Sequence, residues 1–136
     1  MTDEVELAGQ VGALANLLQI KLLRSTSELQ AGYEPGQLAA DVDASYDWAL
    51  MDDARLLVCE IGCEVHIRRG AEAVFDCSAI YGAVYALPED VQLSDEAYGA
   101  FAATSATFSV HPYLREFIQS LTTRAGLPPL SLATLR

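Results

Sequence analysis

The sequence has 136 residues, of which eight are basic and nineteen acidic, so its formal net charge is −11. A phosphate backbone or an anionic membrane would repel such a chain, which argues against binding to nucleic acid or membranes and favours basic partners. The apolar share of 51% is high for so acidic a chain. It predicts one domain with a substantial core and apolar contacts between the subunits of a homo-oligomer. The acidity also has a second interpretation, since it keeps an apolar protein soluble.

The amino terminus and the cysteines indicate the compartment. Residues 1–6 carry acidic rather than basic side chains, and no apolar run reaches the roughly 20 residues of a membrane span. We therefore expect a cytoplasmic protein. The three cysteines form no C-x-x-C pair, so neither a disulfide framework nor a metal site is predicted, and no cofactor is expected.

The first part of the chain predicts a helix and two strands. Residues 4–17 are expected to form the helix, although two glycines weaken it. Its apolar side chains recur at helical spacing: Leu7, Val11, Leu14 and Leu18. A strand is predicted over 20–29, followed by a loop over 32–43. The next segment, 45–50, alternates between apolar and other residues, which places Tyr46, Trp48 and Leu50 on one face of a second strand.

Residues 55–87 predict a β-hairpin. If Arg69, Gly70 and Ala71 form a three-residue loop, the residues of one apolar face pair across the two strands. The expected pairs are Ile67 with Ala73, Val65 with Phe75, Cys63 with Cys77, Ile61 with Ala79 and Cys59 with Tyr81. The other face carries polar residues such as His66 and Asp76. One face of the sheet should therefore be packed against the core and the other exposed to solvent.

The last third predicts two helices. Ser94 can cap the first, of about fourteen residues, whose apolar stripe consists of Ala97, Phe101, Thr104 and Phe108. This helix is expected to break near residues 109–111. Pro112 then opens a second helix that Gly126 closes. Its buried stripe consists of Leu114, Phe117, Ile118, Leu121 and Ala125.

The whole chain therefore predicts a single α+β domain over residues 1–136. A four-stranded antiparallel sheet over 20–87 has helices packed on one face. The broken helix pair covers 94–126, and a short tail covers 127–136.

Catalytic motifs are absent from the sequence. It contains no G-x-S-x-G, no phosphate-binding glycine loop and no H-E-x-x-H. His66 with Glu64 and Asp76 is the one acid–base cluster that the hairpin could assemble, but a solvated polar face is the preferred interpretation. No catalytic residue is predicted, and the protein is not expected to be an enzyme.

A family resemblance is carried by the last third. Pro112-Tyr113-x-Arg115-Glu116, with Ser120, Arg124 and the exit Leu127-Pro128-x-Leu130-x-Leu132, resembles the long helix and crossover loop of SecB-type export chaperones. The paired prolines are most similar to the SecB-like chaperones that accompany toxin–antitoxin systems. The resemblance covers roughly residues 18–132, and the predicted antiparallel layout is similar to that of the same family.

This resemblance implies the function and the sites. It implies an ATP-independent holdase that binds unfolded polypeptides in hydrophobic grooves, for export or for control of an antitoxin. Client contact is implied for Leu127, Leu130 and Leu132, with Tyr46, Trp48 and Leu50 as groove walls. A tetramer built as a dimer of dimers is also implied, with Leu114, Phe117, Ile118 and Leu121 at the subunit interface. The alternative is that the loop leucines only seal the domain or a subunit contact.

The expected partners are unfolded preproteins or an antitoxin. Docking to the translocase motor SecA is implied by the resemblance, but Ser25 and Cys77 stand where the export chaperone carries acidic residues, which argues against it. Because the chain stops at Arg136, the family's final helix is expected to be nearly or wholly absent. Two rival hypotheses are a dedicated adaptor for one protein partner and an enzyme that uses His66 or Asp76.

Overall fold

Four antiparallel strands form one sheet in the computed structural model, which describes residues 3–30 and 37–128. The strands are β1 (Asn16–Leu29), β2 (Ala39–Met51), β3 (Leu56–Arg69) and β4 (Glu72–Ala86). Their order in the sheet is β1-β4-β3-β2. The helices are α1 (Glu4–Gly12), α2 (Asp95–Phe101) and α3 (Thr107–Arg124), with a π-helical segment (Ala102–Ala106) between the last two. The predicted α+β class, with helices packed on one face of the sheet, is confirmed.

The amino-terminal helix is shorter than the sequence predicts. Asp3 caps α1 by accepting a hydrogen bond from the Val5 amide, and Val11 is buried. The helix ends at Gly12 and the chain enters β1 at Asn16, which pairs with β4. The predicted extension to residue 17 is therefore wrong, because glycine is a poor helix former and the following residues pair with the sheet instead.

The register of the β3–β4 hairpin differs from the predicted one by two residues. Ile67 lies opposite Phe75, and Cys63 lies opposite Ala79. The cause is a two-residue turn, with Gly70 at a φ of 62°, together with a bulge next to Ile67. A shift of two residues leaves the side-chain faces unchanged, so the predicted apolar face is correct from Cys59 to Ile67 and from Phe75 to Tyr81. Ala73 is the exception, because beyond the bulge it lies opposite Arg68 and is exposed.

The core lies between the helices and one face of the sheet, which we call the inner face; the opposite face is the outer face. The largest fully buried side chains are Val11, Leu57, Val65, Ile67, Val74, Tyr98, Val110 and Ile118. Most of the inner face of β3 and β4 is covered, whereas nearly all of β1 is exposed.

The helical segments after the sheet form one continuous helix rather than a broken pair. Ser94 caps α2 as predicted, accepting a hydrogen bond from the Ala97 amide at 3.1 Å. The predicted break near 109–111 is wrong, because Pro112 lies inside α3 on its exposed side, where water can take the place of the missing amide donor. The irregularity lies earlier, in the π-helical segment. In the part of the chain that is described, no helix has the length and apolarity needed to span a membrane.

Candidate functional site

A groove follows the edge strand β2 on the inner face of the sheet. Tyr46, near the middle of β2, is 55% exposed and borders two cavities. One of about 220 Å³ lies between β2, the π-helical segment and α3. The other, of about 310 Å³, lies between Tyr46, α1 and α2. We call these two cavities and Tyr46 the β2 groove.

The lining of the β2 groove is mostly apolar, with an acidic end. On the sheet side it consists of Ala44, Ser45, Tyr46, Ile61 and Gly62. On the helix side it consists of Glu4, Leu7, Glu96, Gly99, Ala100, Ala103, Thr107, His111 and Leu114. Such a surface can take apolar side chains, and the carboxylates of Glu4 and Glu96 favour a basic group beside them.

The three groove-wall residues predicted on β2 do share one face. Tyr46 is exposed, whereas Trp48 and Leu50 are half-buried against the core. The Trp48 ring lies 5.1 Å from that of Tyr98 on α2, at an interplanar angle of 36°. Trp48 therefore joins the edge strand to the helix layer, and Tyr46 is the residue of the three that is most accessible to a ligand.

The leucines after α3 are only partly covered by the structure. Leu127 is 5% exposed and belongs to the core of its own chain. Its amide donates to the Thr122 carbonyl after Gly126, whose φ of 79° turns the chain back onto α3. The predicted client contacts Leu130 and Leu132 lie outside the described residues.

The predicted interface residues on α3 divide into two pairs. Leu114 and Ile118 are buried on the side of α3 that faces the sheet, so they stabilise the single chain. Phe117 and Leu121 are half-buried, so part of their surface is exposed. Phe117 also lies edge-on to Tyr81, with ring centroids 6.2 Å apart.

The exposed surface of α3 carries an apolar residue that the sequence predicts to be buried. Phe108 is 82% exposed, whereas Ala106 and Val110 are fully buried. The π-helical segment adds residues to one turn and so rotates everything after it relative to a regular helix. The predicted stripe therefore holds for Ala97 and Phe101 and fails at Phe108.

A second apolar surface, on β1, was not identified from the sequence. Five of its leucines are more than 40% exposed: Leu17, Leu18, Leu22, Leu23 and Leu29. The strand lies at one edge of the sheet and carries two bulges. The density of leucines was the available signal, but it could not distinguish an edge strand from a buried one.

The outer face carries the polar cluster that the hairpin predicts. His66 Nδ1 lies 2.7 Å from Asp76 Oδ1, and Glu64 Oε2 lies 3.8 Å from His66 Nε2. The hydrogen bond to Asp76, and then the negative charges of Asp76, Glu64 and Asp43, raise the pKa of His66. Ligand atoms of Asp43, Glu64 and His66 lie within 4.8 Å of one another, but all three side chains are exposed to solvent.

The three thiols are buried on the inner face. Burial raises the pKa of Cys59 and Cys77 to about 12 and that of Cys63 to about 11. All three are free cysteines. Cys77 is 2% exposed and Ser25 is exposed on β1, so of these two positions only Ser25 can touch a partner.

Comparison with known proteins identifies the family. The family model described as preprotein translocase subunit SecB matches residues 32–136. The chain belongs to the SecB family. The SecB-like chaperone Rv1957 of Mycobacterium tuberculosis H37Rv is 27% identical over 155 residues, which cover 98% of this chain and 84% of the relative. The protein-export protein SecB of Anaplasma phagocytophilum is 28% identical over 86 residues, covering 62% of this chain and 54% of the relative.

Solved structures agree with this assignment. The Mycobacterium tuberculosis Rv1957 SecB-like chaperone, in complex with a ChAD peptide from the Rv1956 HigA1 antitoxin, superposes with a TM-score of 0.84 at 28% identity. The match covers 93% of this SecB-family chain and 94% of that chain. A protein of unknown function from Streptococcus agalactiae matches with a TM-score of 0.51 at 10% identity, covering 87% and 97%, which shows a shared fold alone.

Proposed function

We propose that this SecB-family protein is an ATP-independent holdase chaperone, which binds nonnative polypeptide in the β2 groove and keeps it from aggregating. The observation that carries the proposal is the structural match to a SecB-like chaperone solved with an antitoxin peptide. The groove itself supports the proposal, because an exposed aromatic residue between a mainly apolar cavity and one with an acidic end can contact side chains of many shapes.

An antitoxin is the client that this relationship favours. The relative covers nearly the whole chain, and its solved complex contains a peptide rather than a folded domain. The net charge of −11 would attract a client segment that carries basic residues. Preproteins for export remain the second class of client, as in the export branch of the family.

We further propose a cytoplasmic homotetramer, arranged as a dimer of dimers. The support is apolar surface that the described part of the chain leaves uncovered: five leucines on β1, and Phe108 and Tyr113 on α3. Phe117 and Leu121 lie half-buried on the same helix and extend this surface. Docking to SecA is not part of the proposal, because Ser25 and the buried Cys77 offer no carboxylate.

Aggregation assays test the chaperone function. The purified protein, without nucleotide, should suppress aggregation of two unrelated unfolded substrates at a mass of about 58 kDa, four times the 14.6 kDa chain. Light scattering on the same samples gives the mass. No suppression of either substrate would contradict the holdase function.

Two variants of one strand locate the site. Tyr46 and Met51 are 55% and 56% exposed, but they lie on opposite faces of β2, since they are five residues apart. Tyr46→Asp should reduce suppression severalfold, because a client that covers the new carboxylate removes it from water without a partner, whereas Met51→Asp should leave suppression unchanged. If the two variants changed suppression of aggregation equally, the β2 groove would be excluded as the client-binding site. Leu130→Asp tests the tail in the same assay and should weaken client binding with the oligomer intact.

A dedicated adaptor is the second candidate function, and the antitoxin peptide in the solved relative favours it. An adaptor would protect only its own partner. Suppression of aggregation for a cognate antitoxin, with no effect on two unrelated substrates, would replace the general holdase by this function. For either function, comparison of Tyr46→Asp with Met51→Asp shows whether the partner binds in the β2 groove or elsewhere on the surface.

A further inference from the structure

A histidine and two carboxylates meet on the outer face of the sheet. Asp43 of β2 lies directly opposite Glu64 of β3, and His66 follows two residues later on the same strand and the same face. One ligand atom from each of the three lies within 4.8 Å of the other two. The pairing register of β2 and β3 therefore fixes this cluster, which we call the outer-face triad.

A fourth residue orients the imidazole ring of His66. Its Nδ1 lies 2.7 Å from Asp76 Oδ1, and Asp76 lies opposite His66 on β4. Because a carboxylate can only accept a hydrogen bond, Nδ1 carries the proton and donates it. In the neutral ring the lone pair is then on Nε2, which lies 3.8 Å from Glu64 Oε2. A carboxylate that holds the other ring nitrogen in this way is typical of histidines that bind metal ions.

The two carboxylates of the outer-face triad are available to a ligand. Asp41 lies directly opposite His66 on β2, but Arg68 binds its carboxylate at 3.1 Å. The ion pairs of the described residues give Asp43 and Glu64 no arginine or lysine partner. Both residues also line a cavity of about 560 Å³ on the outer face. Water can therefore reach an ion held between them from the side of this cavity.

The spacing of the outer-face triad suits a metal ion after a small movement. Zn²⁺ binds nitrogen and oxygen ligands at about 2.0 to 2.2 Å in a tetrahedron, so its ligand atoms lie about 3.4 Å apart. The triad has 3.8 Å between His66 Nε2 and Glu64 Oε2. All three side chains are exposed, so they can rotate into contact with an ion without any change in the core.

We propose that the outer-face triad binds a transition-metal ion of the zinc class through His66 Nε2 and the carboxylates of Asp43 and Glu64, with water in the remaining position. An imidazole ligand favours such ions over Mg²⁺ and Ca²⁺, which prefer oxygen ligands. Two carboxylates balance the charge of a divalent cation. The ion links β2 to β3, and Asp76 on β4 is a positioning residue. The inference goes beyond the proposed function, because the triad and the β2 groove lie on opposite faces of the sheet.

Titration of the full-length protein with zinc chloride tests the site. Isothermal titration calorimetry should show saturable binding of one Zn²⁺ per chain. His66→Gln should abolish this binding, because a glutamine amide offers no imidazole lone pair. Glu60→Gln is the matched control and should leave the affinity unchanged. Glu60 is exposed and lies directly opposite Asp47, so the two form a second outer-face pair of aspartate and glutamate, but with no histidine beside it.

The positioning role of Asp76 is tested by Asp76→Asn. This variant removes the same charge as Glu60→Gln, yet it should lower the Zn²⁺ affinity about tenfold because the ring of His66 is held less firmly. Nitrogen NMR of the imidazole rings gives a readout that needs no substitution. In the parent protein, Zn²⁺ should move the Nε2 resonance of His66 and leave the ring of His111 unchanged.

Other results would overturn the inference. If His66→Gln bound Zn²⁺ as tightly as the parent, the net charge of −11 would attract cations without a specific site. If binding were not saturable, or if Zn²⁺ moved the His111 resonances instead, the outer-face triad would be a solvated polar cluster. Equal effects of Asp76→Asn and Glu60→Gln on affinity would exclude a positioning role for Asp76. The aggregation assays test the holdase function separately, so none of these results would contradict it.

Discussion

The ring of Trp48 lies against that of Tyr98, with centroids 5.1 Å apart and planes at 36° to each other. This contact joins the edge strand β2 to α2, and Tyr98 is among the largest fully buried side chains. Among the described strands β2 pairs with β3 alone, so its contact with the helices adds to what holds it in place. The geometry of the β2 groove therefore depends on this aromatic pair.

Replacing Trp48 should destabilise the packing of β2 against the helices and so lower the stability of the protein. Trp48→Ala is expected to lower the free energy of unfolding by about 2 to 3 kcal/mol, less than for a fully buried tryptophan, because the side chain is half-buried. Trp48→Phe should cost less than half as much, since it keeps a ring against Tyr98. Urea unfolding followed by circular dichroism measures both. Equal stability of the alanine variant and the parent would mean that β2 is held by its hydrogen bonds to β3 alone.

The hydrogen bond between His66 and Asp76 should make stability depend on pH. The fold raises the pKa of His66 above its ordinary value of 6.5, chiefly through Asp76. A raised pKa means that the folded state holds the proton more tightly. The stabilisation is therefore complete below about pH 6.5 and is lost as the pH rises through the folded-state pKa.

The variant His66→Gln isolates this effect. The difference in urea midpoint between the parent and His66→Gln should be largest near pH 5.5 and should shrink by pH 8.5. Asp76→Asn, which removes the charge but keeps a hydrogen-bonding group, should reduce the same difference. A midpoint difference that stays constant across this range would show that the ion pair contributes no pH-dependent stability.

The sheet was predictable from the sequence because its signal is a period of two. Alternation along 55–87 identifies the apolar face of the hairpin correctly except at Ala73, next to the bulge, even though the pairing is displaced by two residues. The displacement depends on a bulge next to Ile67, and no residue type specifies a bulge uniquely. The face of the sheet to which a side chain points follows from the local sequence pattern, whereas the pairing register of the two strands depends on turn geometry.

The helices were less predictable, since the deviation from regular geometry has no clear sequence signature. Pro112 suggests a helix start, yet it lies inside α3. The π-helical segment is stabilised by threonine hydroxyls, such as Thr107 Oγ1 donating to the Ala102 carbonyl at 2.8 Å. Its effect is to expose Phe108, which a regular helix would have buried.

The β2 groove was predictable in part. Alternation places Tyr46 and Trp48 on one face, as the structure has them. The sequence could not show that β2 is an edge strand, because strand order depends on contacts between distant segments.

The buried thiols should be inert in the folded protein. A thiolate is the reactive form of cysteine, and burial raises the pKa of Cys59 and Cys77 to about 12. At pH 8 an aromatic disulfide reagent should react with the native protein only as fast as it unfolds, whereas all three thiols should react at once in urea. The release of chromophore measures both rates. A single thiol that reacts rapidly in the native protein would show that the inner face opens locally.

The same thiols predict a loss of stability at alkaline pH. Their ordinary pKa is 9.0, and burial raises it in the folded state. The protonated thiols therefore stabilise the fold fully below about pH 9, and this contribution declines as the pH rises toward the folded-state values. Replacing Cys59 with alanine should flatten the decline of the urea midpoint between pH 9 and pH 11. An unchanged decline in that variant would assign the effect to other groups.

Two glycines should respond oppositely to alanine. A Cβ at Gly62 would lie 3.0 Å from Ile80 Cγ1 and 3.1 Å from the Ala79 carbonyl oxygen, and the backbone atom cannot move away cheaply. Gly62→Ala should therefore lower the free energy of unfolding by about 1 to 3 kcal/mol. At Gly9, inside α1, a Cβ meets nothing within 4 Å, so Gly9→Ala should raise it by up to about 1 kcal/mol through helix propensity. Urea unfolding of both variants provides the comparison, and a stabilising effect at Gly62 would show that β2 and β4 can separate to admit a methyl group.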